Sequence, residues 1–233
     1  MAIQAAARTR TQETMGLNVI VMGPPGAGKG TQAERFARER GLPKISTGDM
    51  LREAVREGHP IALKAKERMD RGELIDDQTI VAIVRDRLSK PDAKRGFVLD
   101  GFPRTVAQAE ALDRIMEERG DTPLIVIDVQ VPQQELVRRL ASRRVCVKCG
   151  ANAEPSRSGS TCAKCGGALE QRTDDNRDVV LERLNVYDRS TKPVLEYYRA
   201  RPTFRIVNGA QSPERVAHEL DTLIDDAAGA KAL

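Results

Sequence analysis

The chain has 233 residues, of which 40% are hydrophobic, 31% charged and 3% aromatic, and its formal net charge is +4. That length suits one large domain, or one domain with small insertions, and it allows a full core. The mildly basic balance points to anionic ligands but does not argue for nucleic acid by itself, and no apolar run reaches the ~18 residues of a membrane span.

Residues 1–15 lack the apolar core of a secretory signal and read as a disordered extension. Glu13 and the brevity of the tract argue against a transit peptide, so a cytoplasmic location is expected. The apolar run 17–22 predicts a buried strand. It leads into Gly23-Pro24-Pro25-Gly26-Ala27-Gly28-Lys29-Gly30-Thr31 and then a helical pattern near 30–40. A glycine-rich turn between strand and helix aims backbone N–H groups at an anion, and the helix N-terminus adds its positive end. Lys29 would then reach the β- and γ-phosphates of a nucleotide. One position departs from the general P-loop pattern: Gly30 replaces the Ser or Thr after the lysine, and the hydroxyl comes at Thr31. The alternative reading is a tight turn with glycines at positive φ.

Further strands are predicted at 43–45, 97–99, 124–129 and 204–207. Helices are predicted near 48–57, 61–70, 77–89, 105–119, 132–142, 177–199 and 213–225, the last opened by Ser212-Pro213-Glu214. This alternation implies an α/β fold with parallel strands and crossover helices. The tail 226–233 is expected to fray. The segment 143–176 breaks the rhythm and should form a separate small lobe. It holds all four cysteines, Cys146, Cys149, Cys162 and Cys165, as two C-x2-C knuckles twelve residues apart. Four thiolates close a tetrahedral shell, so the metal would be structural. Two disulfides are the alternative, though nothing in the chain indicates an oxidising compartment.

Three more segments complete the pattern. Ile45-Ser46-Thr47-Gly48-Asp49-Met50-Leu51-Arg52 follows the second predicted strand. Asp100-Gly101-Phe102-Pro103-Arg104-Thr105 follows the third, and Gln171-Arg172-Thr173-Asp174-Asp175-Asn176 ends the cysteine segment, with Arg183 on the next helix. With the P-loop these closely resemble adenylate kinase of the long type, whose lid carries zinc. The resemblance covers 16 to about 225 and accounts for Gly30, because the family's loop has glycine there. It implies an α/β fold built on a P-loop five-stranded parallel sheet flanked by helices. The core would comprise 16–45, 76–141 and 176–233. Two lobes would be inserted, one for the nucleoside monophosphate at 46–75 and a zinc-ribbon-like lid at 142–175.

The resemblance also implies roles. Gly26, Ala27, Gly28, Lys29, Gly30 and Thr31 would bind ATP phosphates, with Gln211 near the adenine. Thr47, Arg52, Gly101, Phe102, Pro103, Arg104 and Gln108 would form the AMP site, with the backbone of Glu73, Leu74 and Ile75 near the base. Arg143 and Arg172 would close on ATP, Arg172 also near the AMP phosphate, and Arg183 would add a phosphate contact. Asp49 and Asp100 would hold Mg2+ through water, and the four cysteines would hold Zn2+. The catalytic group would be Lys29, Arg104, Arg143, Arg172 and Arg183, acting in a monomer on ATP, AMP and ADP, with no nucleic acid or membrane as partner. Plainer roles compete: Gln108 could complete a capping box with Thr105, Arg52 and Arg183 could be solvated helix charges, Asp174 and Asp175 could cap the next helix, and Asp49 could be a first-turn acid. Competing functions are a kinase for UMP or CMP, a GTP-using relative, and a nucleic-acid-binding ATPase with a zinc ribbon. The last suffers from a cysteine segment without stacking aromatics or dense basic charge.

Overall fold

The first predicted strand forms as β1 (Leu17–Met22), and its residues alternate between two cores. Val19 and Val21 face one core, Ile20 and Met22 the other, and none is more than 3% exposed. A strand buried on both faces belongs at the centre of a parallel sheet, and that is where it lies. The computed structural model describes residues 16–58, 60–120, 123–153 and 159–229, the side chains of 60–64 excepted. The expectation for 1–15 lies outside these residues.

Along the chain follow α1 (Lys29–Arg40), β2 (Lys44–Ser46), α2 (Thr47–Arg56), α3 (Pro60–Asp70), α4 (Asp77–Leu88), β3 (Gly96–Asp100), α5 (Val106–Arg119), β4 (Ile125–Gln130) and α6 (Gln133–Ser142). Then come β5 (Arg144–Cys146), β6 (Leu169–Gln171), α7 (Arg177–Val186), α8 (Lys192–Arg199), β7 (Phe204–Asn208) and α9 (Pro213–Gly229). Five strands form one parallel sheet in the order β2-β3-β1-β4-β7. On one face, α4, α5 and α8 pack through Val84, Leu112 and Tyr198. On the other, α1, α6, α7 and α9 pack through Phe36, Leu136, Leu184 and Leu220. The chain leaves β1 between β3 and β4, so the carboxyl ends of three neighbouring strands open onto one crevice, the usual place for a ligand in an open α/β sheet.

Two helix boundaries differ from the sequence expectation. The predicted helix 177–199 is interrupted by a π-helical turn, Tyr187–Thr191. Pro193, in the first turn of α8, has no N–H to give to the carbonyl four residues earlier, and the helix re-registers around the gap. The last helix runs to Gly229, beyond the predicted 225, because Val216, Leu220, Ile224 and Ala227 continue one apolar stripe into the core. The cysteine segment, expected as a separate zinc-ribbon-like lobe, carries a separate antiparallel pair of β5 and β6. No described helix is long and apolar enough to cross a membrane.

Candidate active site

Gly28 precedes α1 at φ 89°, a left-handed conformation suited to glycine, and provides no side-chain cap. The Thr31 N–H turns back to the Gly28 carbonyl at 3.1 Å, so the N–H groups of Lys29 and Gly30 are the ones left for a ligand at the positive end of the helix. Lys29 folds back over the loop and donates from Nζ to the Pro24 carbonyl at 2.8 Å. A Cβ added at Gly30 would sit 3.1 Å from Asp100 Oδ2, tighter than ordinary contact. That is a physical reason for glycine at the position where most P-loops carry a hydroxyl. Ala27 is buried, whereas Thr31, in the first turn of α1, is exposed.

On the other side of the crevice, Thr47 Oγ1 and Arg104 Nε both donate to the Gly101 carbonyl, at 2.9 and 2.7 Å. This ties α2 to the turn after β3. Phe102 is 1% exposed and belongs to the core, so only its backbone and that of Pro103 face the turn. Arg52 binds Asp49 at 2.5 Å, and Lys44 reaches the same carboxylate at 3.4 Å. Burial works against charge on Asp49, but Arg52 and Lys44 outweigh it and hold its pKa at about 2. The Asp49 N–H donates to the N-cap Ser46 Oγ at 3.3 Å, and Asp49 sits in the first turn of α2, so the first-turn-acid reading describes part of its role. Of the two carboxylates expected near Mg2+, Asp100 lies against the P-loop, while Asp49 is held by two cations.

Arg143 makes a two-pronged pair with Asp175, its Nε at 2.7 Å, and Arg183 binds Asp175 at 2.9 Å and Asp174 at 3.2 Å. The Asp175 side chain is fully buried. The capping reading of Asp174 and Asp175 fails, because α7 is capped by Asn176, which accepts from the Val179 N–H at 3.0 Å. Asp175, with no role expected beyond that cap, is the counter-ion that positions two expected phosphate ligands. Its signal in the sequence was only an acid pair beside arginines, which is common on any surface.

Three cations keep an excess of charge. Burial lowers the pKa of Lys29 to about 8, with Asp100 opposing and Arg104, Arg183 and Arg143 adding to the shift. Burial and then Arg183 lower Arg104 to about 10, and burial and then Arg52 and Arg143 lower Arg172 to about 10. Arg172 Nε is buried without a hydrogen-bond partner. Cations depressed by neighbouring cations are short of anions, and phosphates would supply them.

Gln108 is 2% exposed. Its backbone N–H donates to Thr105 Oγ1 at 3.2 Å, half of a capping box. The other half is absent: Gln108 Oε1 accepts from the Arg104 N–H at 2.7 Å, and Nε2 donates to Asp77 Oδ1 at 2.7 Å. Among the expected base-side residues, Glu73 is an exposed partner of Arg71 and the Leu74 carbonyl accepts from Arg68, while Ile75 packs on the core. Gln211 donates to Glu219 at 2.6 Å at the start of α9, and Gln32 of α1 ties that region to the P-loop helix by donating to the Pro213 carbonyl at 2.9 Å.

The cysteines converge away from the crevice. Cys146 and Cys165 Sγ lie 3.5 Å apart, Cys149 and Cys162 3.7 Å, and all four within 4.8 Å. Disulfides need about 2.05 Å, whereas four thiolates about 2.3 Å from one ion stand about 3.8 Å apart. Each knuckle closes alike, with the Gly150 and Gly166 N–H groups donating to the Cys146 and Cys162 carbonyls at 2.9 Å. Backbone N–H groups of Cys149 and then Lys148 aim at the Cys146 sulfur and lower its pKa. The four cysteines are placed to hold one metal ion.

A family model described as adenylate kinase matches residues 21–203. The chain belongs to the adenylate kinase family. Relatives in this family of nucleoside monophosphate kinases match across nearly their whole length. The adenylate kinase of Archaeoglobus fulgidus is 47% identical over 213 residues, covering 90% of this chain and 98% of its own. That of Geobacillus sp. is 49% identical over 213 residues, covering 89% and 98%. That of Carboxydothermus hydrogenoformans is 48% identical over 204 residues, covering 86% and 95%. The family's nucleotide chemistry thus meets a crevice lined by Lys29, Arg104 and Arg172.

Proposed function

We propose that the chain catalyses ATP + AMP ⇌ 2 ADP, with ATP phosphates on the 26–31 loop and AMP on the side of Thr47, Arg52, Gly101 and Arg104. The observation that carries this reading is the cationic lining of the crevice by Lys29, Arg104 and Arg172, each with its pKa lowered by desolvation and by neighbouring cations, and with Arg172 Nε buried and unpaired. The attacking group is a phosphate oxygen already ionised at pH 7, so no general base is required. The protein's task is to align two polyanions and stabilise charge on the transferring phosphoryl. Lys29 and Arg104 act from the core, while Arg143, Arg172 and Arg183 act from the base of the cysteine lobe, two of them already oriented by Asp175. Mg2+ bound with ATP supplies further charge neutralisation at the β- and γ-phosphates, and Asp100 is the better placed of its two expected partners.

In the same reading, 46–75 and 142–175 are lobes that close over the substrates and exclude water, which would otherwise hydrolyse ATP. The two already touch at one point, where Thr173 Oγ1 donates to Asp70 Oδ1 at 3.0 Å. Zn2+ is the metal that four thiolates at this spacing suit best, with a structural role. The enzyme works as a cytoplasmic monomer on ATP, AMP and ADP, without a nucleic-acid or membrane partner. The test is phosphoryl transfer from ATP and GTP to AMP, UMP, CMP and GMP, beside metal analysis of the purified chain. AMP with ATP should dominate, with about one zinc per chain. A preference for another acceptor would overturn the substrate assignment and leave the family standing.

A further inference from the structure

Asp77 lies outside every expected set of site residues, yet it touches the acceptor side of the crevice twice. It is the first residue of α4, two residues after Ile75. Oδ1 accepts from Gln108 Nε2 at 2.7 Å, and Oδ2 accepts from Thr105 Oγ1 at 2.9 Å. Thr105 Oγ1 in turn accepts from the Gln108 N–H. The far end of the Gln108 amide meets the N–H of Arg104. A carboxylate can only accept and a backbone N–H can only donate. The two neighbours therefore agree on one orientation of the amide, with nitrogen toward Asp77 and oxygen toward Arg104. Free rotation of a glutamine amide, which would exchange its donor and acceptor ends, is blocked from both sides. What remains available on Gln108 is one N–H of Nε2 and one lone pair of Oε1.

We propose that Asp77 is a positioning residue that sets the choice of acceptor base by fixing the donor and acceptor ends of Gln108. This rests on the reading that Gln108 faces the base of the acceptor nucleotide. Adenine presents an amino donor beside a ring-nitrogen acceptor. A 6-oxo purine presents the reverse, a carbonyl acceptor beside a ring N–H donor. A glutamine locked in one orientation pairs with the first arrangement and opposes the second. With Asp77 replaced by a residue that can donate as well as accept, only the Arg104 N–H still opposes a turned-over Gln108, and the second arrangement is less strongly rejected.

The experiment measures kcat/KM for AMP and for inosine monophosphate, with ATP saturating, in the full chain and in Asp77→Asn, Asp77→Ser and Gln108→Ala. The preference for AMP should fall by about tenfold in Asp77→Asn, mainly through the KM of AMP, with the KM of ATP unchanged. Asp77→Ser should shift the ratio in the same direction and carries the test if Asp77→Asn does not fold. If overall activity falls while the ratio holds, Asp77 only braces the turn between Arg104 and Thr105, and the inference is overturned. An unchanged ratio in the Asp77 variants with a lost preference in Gln108→Ala overturns the inference alone. An unchanged ratio in all three variants overturns it together with the placing of Gln108 at the base.

Discussion

Lys29 shows how far the site departs from what stability alone would favour. Its pKa is lowered from 10.5 to about 8, so between those values the unfolded chain holds a proton that the folded chain has released. Stability therefore rises with pH across that window, and below pH 8 the buried ammonium costs roughly 3 kcal/mol. Lys29→Met should abolish transfer yet stabilise the ligand-free protein by up to that amount at pH 6.5, with the gain fading as pH rises from 8 toward 10.5. Denaturant titrations at several pH values would show it, and a destabilised variant at pH 6.5 would refute the account. ATP phosphates should return the lysine to its charged form. Binding at pH 8.5 should thus take up protons, seen as a buffer-dependent enthalpy in calorimetry. Arg143 makes a related point. Lysine in its place keeps the charge but loses the forked pairing with Asp175 and with a phosphate. Arg143→Lys should lower kcat by roughly 10³-fold while ATP binding changes little. If only the KM of ATP rises, the residue binds substrate and does not act on the transferring group.

At the scale of elements, the junction of the cysteine lobe with α7 depends on one carboxylate. Asp175 is fully buried between Arg143 and Arg183, and Arg143 has no second carboxylate among its described contacts, while Arg183 also has Asp174. Asp175→Asn should cost about 3 kcal/mol, the usual penalty for leaving one side of a buried pair. Asp174→Asn should cost less, because Asp175 still neutralises Arg183. Comparison of the two melting temperatures checks the ordering. The β5–β6 pair has a small core of Cys146, Cys162 and Leu169, with little else to stabilise it. Chelation of the metal, or Cys149→Ser, should remove hydrogen-exchange protection from 144–171 first, while the five-stranded sheet keeps its own. Simultaneous loss in both regions would mean that the lobe and the core unfold as one unit.

For the whole molecule, fold and site were legible in the chain to different depths. β1 and the loop after it could be read directly, since a continuous apolar run and a glycine-lysine turn are local signals with one good physical solution. Parallel pairing of five strands followed from the alternation of short apolar runs and amphipathic segments, which leaves few topologies. Helix 177–199 was misread because apolar periodicity continues through the turn at Tyr187–Thr191, while the change of register comes from one missing N–H at Pro193. The β5–β6 hairpin had no alternating pattern to announce it, because its stability comes from cysteines and not from an apolar face.

Residue types and spacings alone pointed to the P-loop and the cysteine quartet, because each is a chemical requirement written close together in the chain, whereas the set of arginines came from the resemblance to a family. Only the tertiary structure decided which carboxylates serve them. Asp175 meets Arg143 across 32 residues, and Asp77 meets Gln108 across 31. Both contacts are made by folding distant segments together, and an aspartate is too common on protein surfaces for its identity to reveal its partner. Orientation belongs to the same level: a glutamine in the sequence offers a donor and an acceptor, and only Asp77 and the Arg104 N–H, closing on it from opposite ends, select which points where.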